Sequence, residues 1–293
     1  MSATQTAIRP RVSRGQTRAP FWLMLPGTLW LLVFFLIPMV SMLSVSLQEG
    51  SLERGYQLTW HFRTYLDVLG KYDVQFIRSI IYGLLATGIL LLLGYPVAYT
   101  IAFRGGRWKN ALLFLVILPF FVSFIIRTLE WKFILADDGI FLGTLKSWGL
   151  LGADFRFLAT PVAVVGGLVY NFLPFMVLPL YVALEKMDRS LLDAAGDLYS
   201  SRVAAFLRVT LPLSLPGVFA GSLLTFIPAV GDFINAEVLG GVNTTMIGNV
   251  IQTEFLVNND YPEAAAISFI LLAGILIGVG VYARLLGTEE LTG

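Results

Sequence analysis

Five acidic residues occur in a long stretch of the chain that contains no lysine or arginine. The stretch runs from Val209 to Ala283, and its acids are Asp232, Glu237, Glu254, Asp260 and Glu263. Carboxylates without a basic neighbour attract cations, so these residues could line the path of a positively charged solute. Outer loops of membrane proteins also lack Lys and Arg, so both interpretations stay open. Asp232 and Glu237 are the preferred pair, with Asp260 as a further candidate.

A second group of chemically active residues lies at 127–132, directly after an apolar run. Helical spacing would let Arg127 pair with Glu130 at i+3, or lie over the ring of Trp131 at i+4. Carboxylates and aromatic faces both bind ammonium groups, so Glu130 and Trp131 are candidates for a cation path. Trp is also common as an anchor at the membrane interface, which is an equally good interpretation of Trp131.

Several kinds of chemistry are excluded by residues that the sequence lacks. The chain has no cysteine and a single histidine, His61, which has no H-E-x-x-H context. Thiolate catalysis, disulfides and a metal site are therefore not expected. There is also no G-x-x-x-x-G-K-[ST] motif that would bind the phosphates of ATP. An intramembrane enzyme would need a nucleophile with a base, or a pair of metal ligands, and we expect no catalytic residues.

The composition predicts an all-α integral membrane protein. Of 293 residues, 57% are hydrophobic and 13% are charged, whereas about a quarter are charged in an average soluble domain. A helix needs about 20 mainly apolar residues to cross a bilayer. Six segments qualify, roughly 21–47, 76–103, 110–133, 159–184, 212–232 and 263–286. Prolines in or near these spans predict kinks that neighbouring helices must accommodate.

Lysine and arginine are distributed unevenly between the alternate connections. One set holds the N-terminal tail 1–20, the turn at 104–109, the connection 185–211 and Arg284, and it contains most of the basic residues. Because basic residues resist translocation, this set is predicted to be cytoplasmic. Both termini, including a short tail at 288–293, are then on the cytoplasmic side of the membrane, and residues 21–287 form the transmembrane domain.

The connection 185–211 has the pattern of an amphipathic helix. Leu191, Ala194, Ala195 and Leu198 fall at i, i+3, i+4 and i+7. They would form one apolar stripe with acidic residues around it. Such a helix is suited to lying on a partner protein or on the membrane surface.

The same connection reads DAAGDLYSSRVAAFLRVTLP, and it resembles the E-A-A loop of ABC importer permeases. Asp193, Ala194 and Ala195 match the opening of that motif, and Leu211 and Pro212 match its close. Asp193 stands where the family has Glu, and Tyr199 stands where the family has Gly, with Gly196 three residues earlier. Further segments, including LPFFVSFIIRTLEW and FIPAVGDFINAEVLGG, look like those of spermidine/putrescine importer permeases.

The resemblance implies a type I ABC importer permease bundle that works as one part of a larger assembly. Its partners would be two cytoplasmic ATPase subunits, a second related permease and an extracytoplasmic polyamine-binding protein. ATP and Mg²⁺ would bind to the ATPase subunits, so this chain would hold no cofactor. The 185–211 loop would dock into the ATPase. Import of another solute, such as ferric iron or phosphonate, and ATP-independent secondary transport are the alternatives.

Overall fold

The fold was analysed in a computed structural model of the chain. It describes residues 19–285, except 153, 189, 192, 193, 195–197, 199 and 200. Within this range the chain is predominantly helical, which agrees with the predicted fold class. A short antiparallel hairpin, formed by strands β1 (Gln48–Ser51) and β2 (Gly55–Leu58), is an addition that the sequence did not predict.

In the described part of the chain, four helical segments are long and apolar enough to cross a membrane. They are Phe21–Ser46, Asp73–Arg104, Pro161–Glu185 and Tyr261–Arg284. Two further pairs of helices, each sharply bent at a short break, bring the number to six if each pair counts as one span.

The helices, numbered along the chain, vary widely in length. They are α1 (Ala19–Leu31), α2 (Ile37–Ser46), α3 (Arg63–Lys71), α4 (Asp73–Tyr99), α5 (Lys109–Ile117), α6 (Phe124–Ile134), α7 (Ile140–Ser147), α8 (Pro161–Glu185), α9 (Arg202–Ala205), α10 (Leu211–Leu213), α11 (Leu215–Val230), α12 (Ile234–Val238), α13 (Ile247–Leu256) and α14 (Tyr261–Leu285). Turns of π-helix at Leu32–Leu36, Thr100–Arg104 and Phe206–Thr210 join or extend several of them.

The third predicted span is not one straight helix. Its first part, from Gly106 to Phe121, meets α6 at an angle of 92°. Pro119 lies in a short 3₁₀ turn, and Val122 and Ser123 are extended. Proline lacks the N–H that would continue the α-helix, which accounts for the break at this position.

The fifth predicted span also differs from a single helix that begins at residue 212. Its helical path starts at Arg202, inside the predicted connection, and turns by 65° at Ser214 before α11. Ser214 is buried, and its hydroxyl lies 2.7 Å from the hydroxyl of Tyr95 on α4. This bond satisfies a polar group at the bend, where the helix ladder is interrupted.

Helices α4, α8 and α11 form the core of the bundle. Small residues let them approach closely, because a Cβ on Gly217 would lie 2.5 Å from Ala183 Cβ and 2.9 Å from the Pro179 carbonyl oxygen. Close contact through glycine is a common way to pack helices in a membrane. The large side chains Leu168, Met176 and Leu180 of α8 are fully buried between them.

The bundle has two distinct ends. At the one we call the hairpin end, the β-hairpin and α3 pack near the starts of α4 and α14, and Tyr56 donates a hydrogen bond to the Asn259 carbonyl at 2.5 Å. At the other, the basic end, Lys109 forms an ion pair with Glu185. This pair ties the start of α5 to the end of α8.

We expect Gly217→Ala to destabilise the bundle, because the new methyl group would clash with backbone and side-chain atoms of α8. Overpacking of this kind typically costs about 1–3 kcal/mol. The apparent melting temperature of the purified protein in detergent measures it.

Gly166→Ala is the matched control, since a Cβ there has no atom within 4 Å. Its melting temperature should stay the same or rise, because Ala favours a helix over Gly. Equal melting temperatures of the Gly217→Ala and Gly166→Ala variants would contradict the close approach of α8 and α11.

Candidate functional site

Two short helices, α6 and α12, are held together by side-chain hydrogen bonds inside the bundle. The Asn171 amide, on α8, donates to Thr128 Oγ1 on α6 at 3.0 Å and to Asn235 Oδ1 on α12 at 3.0 Å. All three residues are at most 1% exposed. Buried polar side chains bonded in this way fix their helices more specifically than apolar packing does. Asn171 therefore sets the relative position of α6 and α12.

Helix α6 carries two of the predicted path residues. Glu130 is exposed, and among the described residues it has no hydrogen-bond or ion-pair partner. Trp131 is half-buried and packs edge-on against Tyr170 of α8, with ring centroids 5.1 Å apart. The tryptophan ring is thus held in place by the core, while the neighbouring carboxylate is exposed.

Helix α12 carries a third predicted residue, Glu237. It is exposed, has no partner within the described part of the chain, and lines a cavity of about 340 Å³. Gln252 and Thr253 of α13 line the same cavity. Because α6 and α12 are joined through Asn171, the structure brings the elements that bear Glu130 and Glu237 next to each other.

Asp232 has a structural task of its own. It is 8% exposed, and its Oδ1 accepts the backbone N–H of Asn235 at 2.7 Å, which caps the start of α12. It lies two residues beyond the end of α11. Burial raises the pKa of its carboxyl to about 6, although hydrogen bonds from Asn235 and Ala236 act to lower it. The two residues of the predicted pair therefore differ in role. Asp232 is a buried helix cap, and Glu237 is an exposed carboxylate.

The other acids of the stretch without Lys or Arg form hydrogen bonds or ion pairs at the hairpin end. Glu254 is 7% exposed and accepts hydrogen bonds from Tyr72 at 2.7 Å and from Asn258 at 2.8 Å. Burial, and then the bond to Glu254, raise the pKa of the Tyr72 hydroxyl. Glu263 pairs with Lys71 at 2.6 Å.

Asp260 is half-buried and accepts the backbone N–H of Glu263 at 3.1 Å, near the start of α14. It lines a second cavity, of about 380 Å³, together with Glu49, Asp67 and Lys71. The structure thus places Asp260 and Glu237 in different cavities. A single site formed by all five predicted path residues does not exist in the described chain.

Arg127 forms neither of the two contacts that the sequence predicted for it, with Glu130 or with Trp131. Its guanidinium carbon lies 5.8 Å from the ring centroid of Phe120 and 5.7 Å from that of Phe124, rather than over Trp131, and it forms no ion pair with Glu130. The side chain points back toward the start of its helix, as helical side chains generally do.

The predicted coupling loop is described only in part. Asp193, Ala195, Gly196 and Tyr199 lie outside the described residues. Leu191, Ala194 and Leu198 are helical and exposed, with Leu198 79% exposed. Asp188 Oδ1 accepts the Ser190 backbone N–H at 2.9 Å, and this bond lowers the pKa of the carboxyl.

The closing residues of the motif lie at the other side of this connection. Leu211 is half-buried and contacts the core, while Pro212 is exposed in α10. Both lie directly before the bend at Ser214.

Sequence reasoning missed Asn171, Thr128 and Asn235. A signal was present in Asn171, which is a lone amide within an otherwise apolar span of 25 residues. A polar side chain in such a place is costly unless it is paired, so it indicates a contact between helices. Its partners are 43 and 64 residues away in sequence, and only the folded chain identifies them.

Comparison with known proteins gives a consistent result. Residues 91–286 match the model of a family described as "Binding-protein-dependent transport system inner membrane component". The chain is 40% identical over 258 residues to the spermidine/putrescine transport system permease protein PotB of Haemophilus influenzae, covering 87% of this chain and 90% of that protein. It is 36% identical to PotB of Escherichia coli K12, covering 87% and 93%.

The fold matches a chain of a bacterial ABC transporter that imports the acidic polysaccharide alginate. The TM-score is 0.70, with 20% identity, and the match covers 94% of this chain and 97% of the other. A second alginate transporter structure, in complex with a periplasmic protein, matches with a TM-score of 0.69 and 21% identity. At this identity the likeness shows the fold, which is that of a type I importer permease, as predicted.

We expect Asn171→Ala to loosen α6 and α12, because the buried Asn235 Oδ1 loses its donor and Thr128 keeps only its bond to the Phe124 carbonyl. Leaving a buried polar group unpaired costs about 1–3 kcal/mol. The apparent melting temperature in detergent should fall. The control is Asn243→Ala, since Asn243 is exposed. If both variants melt like the unchanged protein, Asn171 does not hold the two helices.

Proposed function

The chain belongs to the binding-protein-dependent transport system inner membrane components, and from this premise we propose that it is a permease subunit for polyamines. The observation that carries the proposal is 40% identity, over most of both chains, to a permease named for spermidine and putrescine. Members of this family are subunits of transporters and not enzymes in their own right.

The exposed side chains of the candidate site suit such a cargo. A polyamine is a flexible chain with several positive charges, so it is held by carboxylates and by aromatic faces. Glu130 and Glu237 are two exposed acids on joined helices, and Trp131 adds an aromatic ring. The absence of Lys and Arg from Val209 to Ala283 favours a path that does not repel a cation.

The proposed assembly has this chain beside a second, related permease subunit, with two ATPase subunits on the cytoplasmic side. An extracytoplasmic binding protein delivers the polyamine, and ATP and Mg²⁺ bind to the ATPase subunits. In this proposal the basic end faces the cytoplasm, because Lys and Arg resist translocation, and both termini lie there.

Movement reaches the bundle through the connection 185–211 in this mechanism. The exposed helical residues Leu191, Ala194 and Leu198 face away from the chain and dock on an ATPase subunit. From Arg202 the chain runs as a helical arm into α11, with its bend at Ser214. A displacement of the loop therefore reaches α11, which leads directly to Asp232 and α12.

We expect Glu237→Gln and Glu130→Gln to weaken polyamine transport, because each removes a charge from the proposed path. One lost contact of about 1.4 kcal/mol corresponds to a tenfold change. ATP-dependent uptake of labelled spermidine into vesicles containing the full transporter should therefore need about ten times more spermidine-loaded binding protein for half its maximal rate.

Glu53→Gln is the matched control, because Glu53 is an exposed acid in the turn of the hairpin. It should transport normally. Unchanged spermidine uptake in all three variants would remove these acids from the path. Uptake of a different solute, with none of spermidine or putrescine, would overturn the proposed cargo.

We expect Ala194→Arg to uncouple the ATPase from transport, because a bulky cation replaces a small exposed residue in the docking helix. The variant should insert and assemble, yet the binding protein should stimulate its ATP hydrolysis at least about tenfold less, as the loss of 1.4 kcal/mol of coupling implies. ATPase assays with and without binding protein measure this.

Leu52→Arg is the control at the hairpin end, where Leu52 is 60% exposed. Normal stimulation in Ala194→Arg would contradict the coupling role. Labelling of Leu198→Cys from outside intact cells would contradict the orientation, and the label would be specific because the chain has no other cysteine.

A further inference from the structure

Arg127 is a buried cation for which the described part of the chain provides no anionic partner. It is 6% exposed, and its Nε and Nη1 atoms form no hydrogen bond. Among the described residues its guanidinium contacts the rings of Phe120 and Phe124. Cation–π contact with phenylalanine stabilises a guanidinium by less than burial of the ion destabilises it. A charge in this position therefore needs an anion that none of the described residues supplies.

The backbone N–H groups at the start of α6, beside Arg127, also need a hydrogen-bond acceptor. The chain is broken at Val122–Ser123, and α6 begins directly afterwards at Phe124. The first N–H groups of a helix have no partner within it, and Ser123 provides no side-chain cap. A helix start carries a partial positive charge, which adds to that of the guanidinium. Phe120 and Phe124, the rings beside the guanidinium, stand on either side of this break.

The depth of the break argues against lipid as the source of the anion. Helix α5 has nine residues and the 3₁₀ turn has four. Together they place the break roughly 22 Å along the chain from the basic end. The hydrocarbon layer is about 30 Å thick, so lipid phosphates lie beyond this point on both sides. Acyl chains at this depth cannot accept a hydrogen bond, and broken backbone in a membrane is tolerated only where protein or water covers it.

The surface around the break is apolar and exposed on this chain. Phe121 is 76% exposed, Val122 46%, Ile125 51% and Ile126 52%. An apolar rim around one buried charge matches the centre of a protein interface. A polycationic cargo cannot be the missing partner, because its charge has the same sign as that of Arg127.

We propose that Arg127 and the start of α6 form an anion site that takes a carboxylate side chain from the second permease subunit. This inference rests on the proposed assembly of two related permeases. The site makes the break in the third span part of the subunit interface. It also explains why no residue within the described ranges forms an ion pair with the buried guanidinium of Arg127.

The test is co-purification of the second permease with Arg127→Met in the complete transporter. Methionine keeps the packing against Phe120 and Phe124 but leaves the incoming carboxylate buried without a partner. Truncating one side of such a pair costs about 2–5 kcal/mol, so we expect at least about 30-fold weaker association. Lys132→Met, on the same helix and exposed, is the matched control and should associate normally.

A second measurement separates this role from a structural one. In the chain purified alone, Arg127→Met should melt at the same or a higher temperature, because it removes an unpaired buried charge. Lower melting of the lone chain, together with normal association, would show that Arg127 acts within its own subunit and would overturn the proposal.

A cysteine label identifies what covers the break. Phe121→Cys should react with a maleimide in the chain alone and be protected in the assembled transporter. Equal reactivity in both, or protection that follows the content of anionic lipid instead of the second permease, would overturn the proposal. Both assays omit the transported solute, so a wrong choice of cargo leaves their outcome unchanged.

Discussion

Polar groups in an apolar surrounding must find partners within the protein, and the rest of this structure depends on that constraint. A long helix without internal proline, such as α14, satisfies most of its own backbone. Where a helix is interrupted, the polar groups at the break need other hydrogen-bond partners. At Ser214 the partner lies inside the chain, where the hydroxyl is bonded to Tyr95. At Val122–Ser123 no described residue provides such a bond to the neighbouring guanidinium of Arg127, whose Nε and Nη1 atoms are buried without a hydrogen bond.

The two interruptions divide the bundle into parts with different tasks. Helices α4, α8 and α11 are packed closely through glycine and behave as one core. The arm from Arg202 to Leu213 is joined to this core at the bend. On the other side, α6 and α12 are attached to α8 through Asn171. The core therefore connects the arm to the helices that carry Glu130 and Glu237.

The acidic residues show how one residue type serves several purposes. Asp232 caps α12, Glu254 is bonded to Tyr72, and Glu263 pairs with Lys71. These contacts fix the connections between spans. The exposed acids Glu130 and Glu237 remain available to a cation, and they belong to short helices outside the central core. The acids that stabilise the fold are thus different residues from the two that we propose for recognition of the cargo.

The sequence by itself determined that the chain is a helical membrane protein, because the length and apolarity of a span follow from the thickness of the bilayer. The spacing of DAAGDLYSSRVAAFLRVTLP and the quoted segments were enough to indicate the family, since they are local patterns. Only the tertiary structure decided which acids are engaged, because Lys71 and Tyr72 reach their partners across more than 180 residues. It also decided the 92° break in the third span and the position of Arg127. In the sequence, only Pro119 indicates the bend of the third span. The direction of the bend and the residues around it result from the packing of distant helices.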